Sequence, residues 1–204
     1  LYRVFKGIGK GGSAKALGNG CRKTIETKCA EVLSGGFTNT GYDGKALFAD
    51  DHPLADSTST FCNKLTGALT DANLKTACTQ MRGTVDEANV KIQATAKQLI
   101  IHPDNEFNAK TILRSKGPAG ELSNDSNEVP NLKLIILDFL PSTASAYWVL
   151  RDPSIDNLKF FWRERPIFDS QPIPKTIDYF MYGYMRAAAG YVDWRGLVGS
   201  TGAA

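Results

Sequence analysis

The chain has 204 residues, 42% hydrophobic and 22% charged, a balance that excludes wholesale disorder, collagen-like repeats and a long coiled coil. At about 150 residues per domain it holds one large domain or two small ones. Its net charge of +3, from 24 Lys and Arg against 21 Asp and Glu, is too small to steer the whole molecule onto nucleic acid.

No stretch approaches the roughly 18 to 20 uninterrupted apolar residues of a membrane-spanning helix; Leu134 to Leu140 is broken by Asp138. The chain opens on Leu1, with three cations and no apolar segment in its first ten residues. No signal peptide is therefore read, and a missing upstream segment is expected. The basic character is local: Arg3, Lys6, Lys10, Lys15, Arg22, Lys23 and Lys28 face only Glu26 within the first 28 residues. With Phe5 as the one aromatic side chain between these cations, a solvated helix face is favoured over a polyanion-binding strip.

Ala14, Leu17, Cys21, Ile25, Cys29, Val32 and Leu33 recur at helical spacing, which predicts an amphipathic helix over 14–33. Ser34-Gly-Gly ends it, and residues 41–56 are turn-rich. A second helix is expected from an N-cap at Thr70 or Asp71, with Leu74, Ala77, Cys78 and Met81 on one stripe, to Gly83. Lys97 to His102 reads as a strand covered on both faces, stopped by Pro103, with Asp104 capping a helix that holds Phe107, Ala109, Ile112 and Leu113. Gly117 to Asn131 has the composition of an exposed loop. Leu132 to Phe139 and Ala146 to Leu150 read as strands, completing an α+β layer.

The last third is aromatic and extended. Lys159 to Phe168 and Thr176 to about Val192 read as long strands, the second with Ile177, Tyr179, Met181, Gly183 and Met185 on one face and Phe180, Tyr182, Tyr184 and Arg186 on the other. A strand of about 16 residues is far beyond the usual five or six. With neither face plainly polar, it implies neighbours from other chains.

Chemistry is harder to find. Asp50-Asp-His52-Pro is the most enzyme-like cluster, yet a metal site needs three or more convergent ligands and the other histidine, His102, lies at a strand end. Asp50, Asp51 and His52 are therefore read as turn formers, and His52→Asn as a nearly neutral change. Gly7 to Ser13 lacks the residue order of a phosphate-binding loop and reads as flexible chain. Cys21, Cys29, Cys62 and Cys78, spaced by 8, 33 and 16 residues, suit neither zinc nor a disulfide scaffold and read as reduced, mostly buried thiols. No catalytic, cofactor or metal residue is assigned.

Taken in order, several segments resemble the major head subunits of Mu-like and related tailed phages. They are Lys23-Thr-Ile-Glu-Thr-Lys-Cys-Ala-Glu-Val-Leu with Gly36-Phe-Thr, Tyr42-Asp-Gly-Lys-Ala-Leu-Phe-Ala-Asp-Asp-His-Pro-Leu, and Leu65-Thr-Gly-Ala-Leu-Thr-Asp-Ala-Asn-Leu. Gln98-Leu-Ile-Ile-His-Pro, Tyr147-Trp-Val-Leu and Gly190-Tyr-Val-Asp-Trp-Arg-Gly-Leu-Val-Gly-Ser-Thr-Gly follow. The resemblance implies an α+β fold of the Hong Kong 97 capsid type. A peripheral domain (1–68 and 159–192) would hold a spine helix at 14–33 and a long hairpin at 159–192, and an axial domain would take 69–158 and 193–204.

On this resemblance, the family's N-terminal arm and most of its extended loop have no counterpart in this chain. The function implied is a structural capsid protein, not an enzyme, that forms hexamers and pentamers of an icosahedral phage head around double-stranded DNA. Portal, scaffold and decoration proteins are the implied partners, with no membrane; the implied location is the virion, assembled in the bacterial cytoplasm. The alternatives are an encapsulin-like nanocompartment shell and a small metal-dependent hydrolase built on Asp50, Asp51 and His52.

Overall fold

The computed structural model describes residues 12–54, 59–115, 131–155, 157–172 and 179–202. Helix α1 runs Gly12–Ser34, followed by the two-residue strands β1 (His52–Pro53), β2 (Thr60–Phe61) and β3 (Lys64–Leu65). Helix α2 (Asp71–Arg82), β4 (Gln98–Ile101), α3 (Glu106–Arg114), β5 (Lys133–Ile136) and β6 (Trp148–Arg151) come next. Strands β7 (Leu158–Pro172), β8 (Tyr179–Tyr191) and β9 (Leu197–Ser200) complete the order.

Five short strands form one mixed sheet in the order β3-β9-β6-β4-β5. Strand β9 pairs parallel with β3 and antiparallel with β6, while β4 pairs antiparallel with β6 and parallel with β5. Residues of alternating side-chain direction serve two cores. On one face Leu99, Ile101, Trp148, Leu150 and Val198 pack against Leu74, Ala77, Cys78 and Met81 of α2 and Ala109 and Ile112 of α3. On the other, Ile100, Val149 and Leu197 pack against Leu33 of α1, Leu47, Phe48, Leu54 and Trp194. The apolar run of β4 is thus buried from both sides, as its lack of alternation predicts.

Thr70 is the N-cap of α2, its side chain accepting the Asn73 N–H, and Gly83 ends that helix. The third helix begins differently from expectation. A 3-10 turn at Pro103–Asn105 comes first, and its cap is His102, whose Nδ1 accepts the Asp104 N–H at 3.2 Å, so Asp104 is not the cap and α3 starts at Glu106. Strands β5 and β6 are shorter than the apolar runs around them, because Leu137 onward turns away and Ser142–Ala144 forms another 3-10 turn. The cysteines also correct the expectation: all four are free thiols, but only Cys78 is buried and Cys21, Cys29 and Cys62 are half-buried. Burial pushes the Cys78 thiol up from its ordinary value. The loop expected from Gly117 lies almost entirely outside the described residues.

Strands β7 and β8 form a separate antiparallel hairpin, in register from Leu158 opposite Tyr191 to Pro172 opposite Tyr179. The register shifts twice, between Trp162 and Glu164 and between Glu164 and Ile167, so β7 gains two residues on its partner. Pro166, with no N–H to donate, sits in this irregular stretch, where its loss to the ladder costs least. Helix α1 lies along β8. Their close approach depends on Gly183, where an added Cβ would come within 3.3 Å of Leu17 Cδ2 and 2.9 Å of Phe168 Cδ1.

Candidate functional site: an assembly surface and a buried polar junction

The hairpin presents apolar side chains to solvent on both of its sides. Phe161 is 62% and Ile167 61% exposed, with Phe160, Trp162 and Phe168 exposed beside them. Phe160 and Trp162, two apart and so on one side of the strand, meet edge to face with ring centres 5.0 Å apart. Polar cross-strand contacts tie the ribbon internally. Tyr182 donates to Asp169 Oδ2 at 2.8 Å, and the bond to that carboxylate raises the Tyr182 phenol above its ordinary value. A run of exposed aromatic groups on a ribbon two strands wide marks an interaction surface.

On α1, Leu17, Ala30 and Leu33 are buried, while Lys15, Arg22, Lys23 and Lys28 are exposed. Lys28 pairs with Glu31, but Lys15, Arg22 and Lys23 make no ion pair among the described residues. The helix therefore carries a charged outer face. Arg3, Lys6, Lys10 and the segment Gly7 to Gly11 lie outside the described residues.

The Asp50-Asp-His52-Pro cluster is split by the fold. Asp50 and Asp51 are exposed and pair with Lys64 and Lys45. His52 turns inward and is 1% exposed. Its Nδ1 lies 2.7 Å from Asp43 Oδ2 and its Nε2 3.1 Å from Asn63 Oδ1. Its ring stacks on Trp194 at 4.3 Å, and Phe61 stacks on the same indole at 5.3 Å. The expectation that His52 only shapes a turn is overturned: it is a buried polar hub between the 41–54 segment and the sheet. Asn63 continues the junction, donating to the Leu47 and Leu197 carbonyls and accepting the Ala49 N–H. Asp43, Asn63 and Trp194 carry no pattern in sequence that would have joined them to His52, because their contact is purely tertiary.

Next to this hub, Arg195 is buried, donates from Nε to the Val85 carbonyl at 3.0 Å, and reaches the Asp193 carboxylate from Nη1. Its guanidinium lies 4.8 Å from the centre of the Trp194 ring. At the end of β6, Asp152 accepts from the Thr95 and Ser154 N–H groups and from Lys97. Burial works against its charge, but these donors outweigh it and hold the carboxyl below its ordinary range. Among the described residues no three His, Cys, Asp or Glu side chains are grouped to hold a metal ion, and no helix is long and apolar enough to cross a membrane.

A mixed sheet carries α2 and α3 on one face and the end of α1 on the other, and α1 lies along a two-stranded ribbon with exposed aromatic side chains, an α+β fold of the Hong Kong 97 type. The chain belongs to the phage capsid protein family, which it matches over residues 14–200. Solved structures of the same fold include the mature capsid of bacteriophage PhiM1, with a TM-score of 0.59 at 12% identity over 98% of this chain and 68% of that one. The capsid of an empty GTA particle gives a TM-score of 0.58 at 11% identity, covering 100% of this chain and 73% of that one. The capsid of Cyanophage P-SCSP1u gives 0.56 at 12% identity, covering 98% and 69%. No curated protein matches the sequence. The protein is a structural major capsid protein of a phage head.

Proposed function

We propose that this capsid protein is the head subunit of a Mu-like phage or prophage, building hexamers and pentamers of an icosahedral shell around double-stranded DNA. The observation that carries this reading is the hairpin, whose exposed Phe161, Ile167 and Phe168 need neighbouring copies to cover them. The subunit works by burial and has no catalytic role. Residues 1–68 and 159–192 form a peripheral domain and 69–158 and 193–204 an axial one, with Lys64 and Leu65 reaching across to lie on β9. Assembly takes place in the host cytoplasm with portal, scaffold and decoration proteins. Electron microscopy of the full-length protein expressed alone tests the reading: rings and closed shells are expected, and a stable monomer under all conditions would overturn it. Particles with a portal vertex and nucleic acid, made in the phage context, separate a phage head from a cargo-enclosing nanocompartment.

A further inference from the structure

The hydrogen bonds around His52 determine how many protons its ring carries. Asn63 Nδ2 donates to two carbonyls, Leu47 O at 2.8 Å and Leu197 O at 3.2 Å, and Asn63 Oδ1 accepts the Ala49 N–H at 2.9 Å. These three backbone groups allow only one orientation of the amide, since turning it over would set its oxygen against two carbonyl oxygens and its NH2 against an N–H. The atom that faces His52 Nε2 at 3.1 Å is therefore an acceptor, and Nε2 must carry hydrogen. On the other side Nδ1 faces Asp43 Oδ2 at 2.7 Å, a charge-assisted distance. The other oxygen of Asp43 accepts the Lys45 N–H at 3.1 Å.

We propose that His52 is a doubly protonated imidazolium, paired with the Asp43 carboxylate inside the protein, and that this ion pair fastens the 41–54 segment to the sheet. Trp194 offers its π face to the cation at 4.3 Å. The other charges nearby are already engaged: Asp51 pairs with Lys45 at the surface, and Arg195 with Asp193. The junction links Asp43 in the loop, His52 on β1, Asn63 before β3 and, through Asn63, the Leu197 carbonyl of β9. It lies next to the hairpin base, where Gly41 leaves room for the Tyr191 ring. An imidazolium has no lone pair left to bind a metal or to take up a proton as a base. The histidine of the Asp-Asp-His sequence is on this reading a fastener.

Nitrogen NMR of the full-length protein labelled in histidine tests this at a single neutral pH. This chain has histidines at 52 and 102, and His102→Asn separates the His52 signal from that of His102. In the otherwise unaltered protein both His52 ring nitrogens are expected to carry directly bonded protons. An unprotonated Nδ1, which would put the proton on Asp43, overturns the proposal, and so does an unprotonated Nε2. In Asp43→Asn, Nδ1 is expected to lose its proton while Nε2 keeps it. Amides of 41–54 should then exchange with solvent faster, with those of β4 unchanged; equal exchange in both proteins would overturn the fastening role. Should Asp43→Asn fail to fold, the spectrum of the protein with Asp43 in place still decides the protonation.

Discussion

The ring of Phe48 occupies the space in which a side chain on Gly199 would begin: a Cβ there would stand 2.7 Å from Phe48 Cδ1. The same ring lies 3.0 Å from the Cβ position of Gly36, and the Phe48 N–H bonds the Gly36 carbonyl at 2.9 Å. One aromatic side chain thus joins the end of α1 to a central strand of the sheet. Gly199→Ala is expected to destabilise the subunit by about 1–3 kcal/mol through overpacking. Phe48→Ala should cost about 3–5 kcal/mol by leaving a cavity. Denaturant unfolding of the unassembled subunit checks both, and an unchanged midpoint for Gly199→Ala would refute the contact.

Replacing His52 with Asn preserves turn propensity, yet the shorter side chain cannot span Asp43 and Asn63 together. Removing one member of a buried pair strands the other's charge, which costs about 3–5 kcal/mol. The variant should therefore melt well below the unsubstituted protein. A melting temperature within a degree or two of it would restore the simple turn reading.

Asp152 makes stability sensitive to acid. Its carboxyl is held below the ordinary value of 3.8 in the fold, so its contribution is present above that value and is lost as pH falls through the lower folded one. Unfolding midpoints measured from pH 7 downward should show Asp152→Asn less stable than the unsubstituted protein near neutrality. The gap should close below pH 3.8; a gap independent of pH would remove Asp152 as a cause.

Arg22 and Lys23 are exposed on α1, so reversing both charges should leave subunit stability within about 0.5 kcal/mol. Failure of assembly would place these cations against an acidic surface of a neighbouring copy, and that is the expected outcome. Normal shells with less packaged DNA, and packaging that weakens steeply with salt, would assign the same face to phosphate instead.

What could be read in advance followed from local pattern. The helix expected over 14–33 announces itself through Leu17, Cys21, Ile25, Cys29 and Leu33 at helical spacing, α2 through the Thr70 cap, and the hairpin through two long aromatic runs. Strand ends were less legible, since Leu137 and Tyr147 continue the apolar runs but are drawn into local turns, the Leu140 N–H bonding the Leu137 carbonyl and the Tyr147 N–H the Ala144 carbonyl. The junction around His52 was illegible. Its members stand at 43, 52, 63 and 194, and no periodicity connects residues that meet only after the sheet has formed.

That sheet has a consequence for how the protein is made. Strand β9, with Leu197 to Ser200 wholly buried, lies between β3 and β6 and not at an edge. A growing chain can pair β4 with β6 once Arg151 is free of the ribosome, but β3, made far earlier, has no partner until residue 200 emerges. Contacts so distant in sequence fold slowly. The nascent chain therefore carries its long aromatic hairpin, fully made, before its own sheet can close. Until then it is most exposed to association with the wrong neighbours.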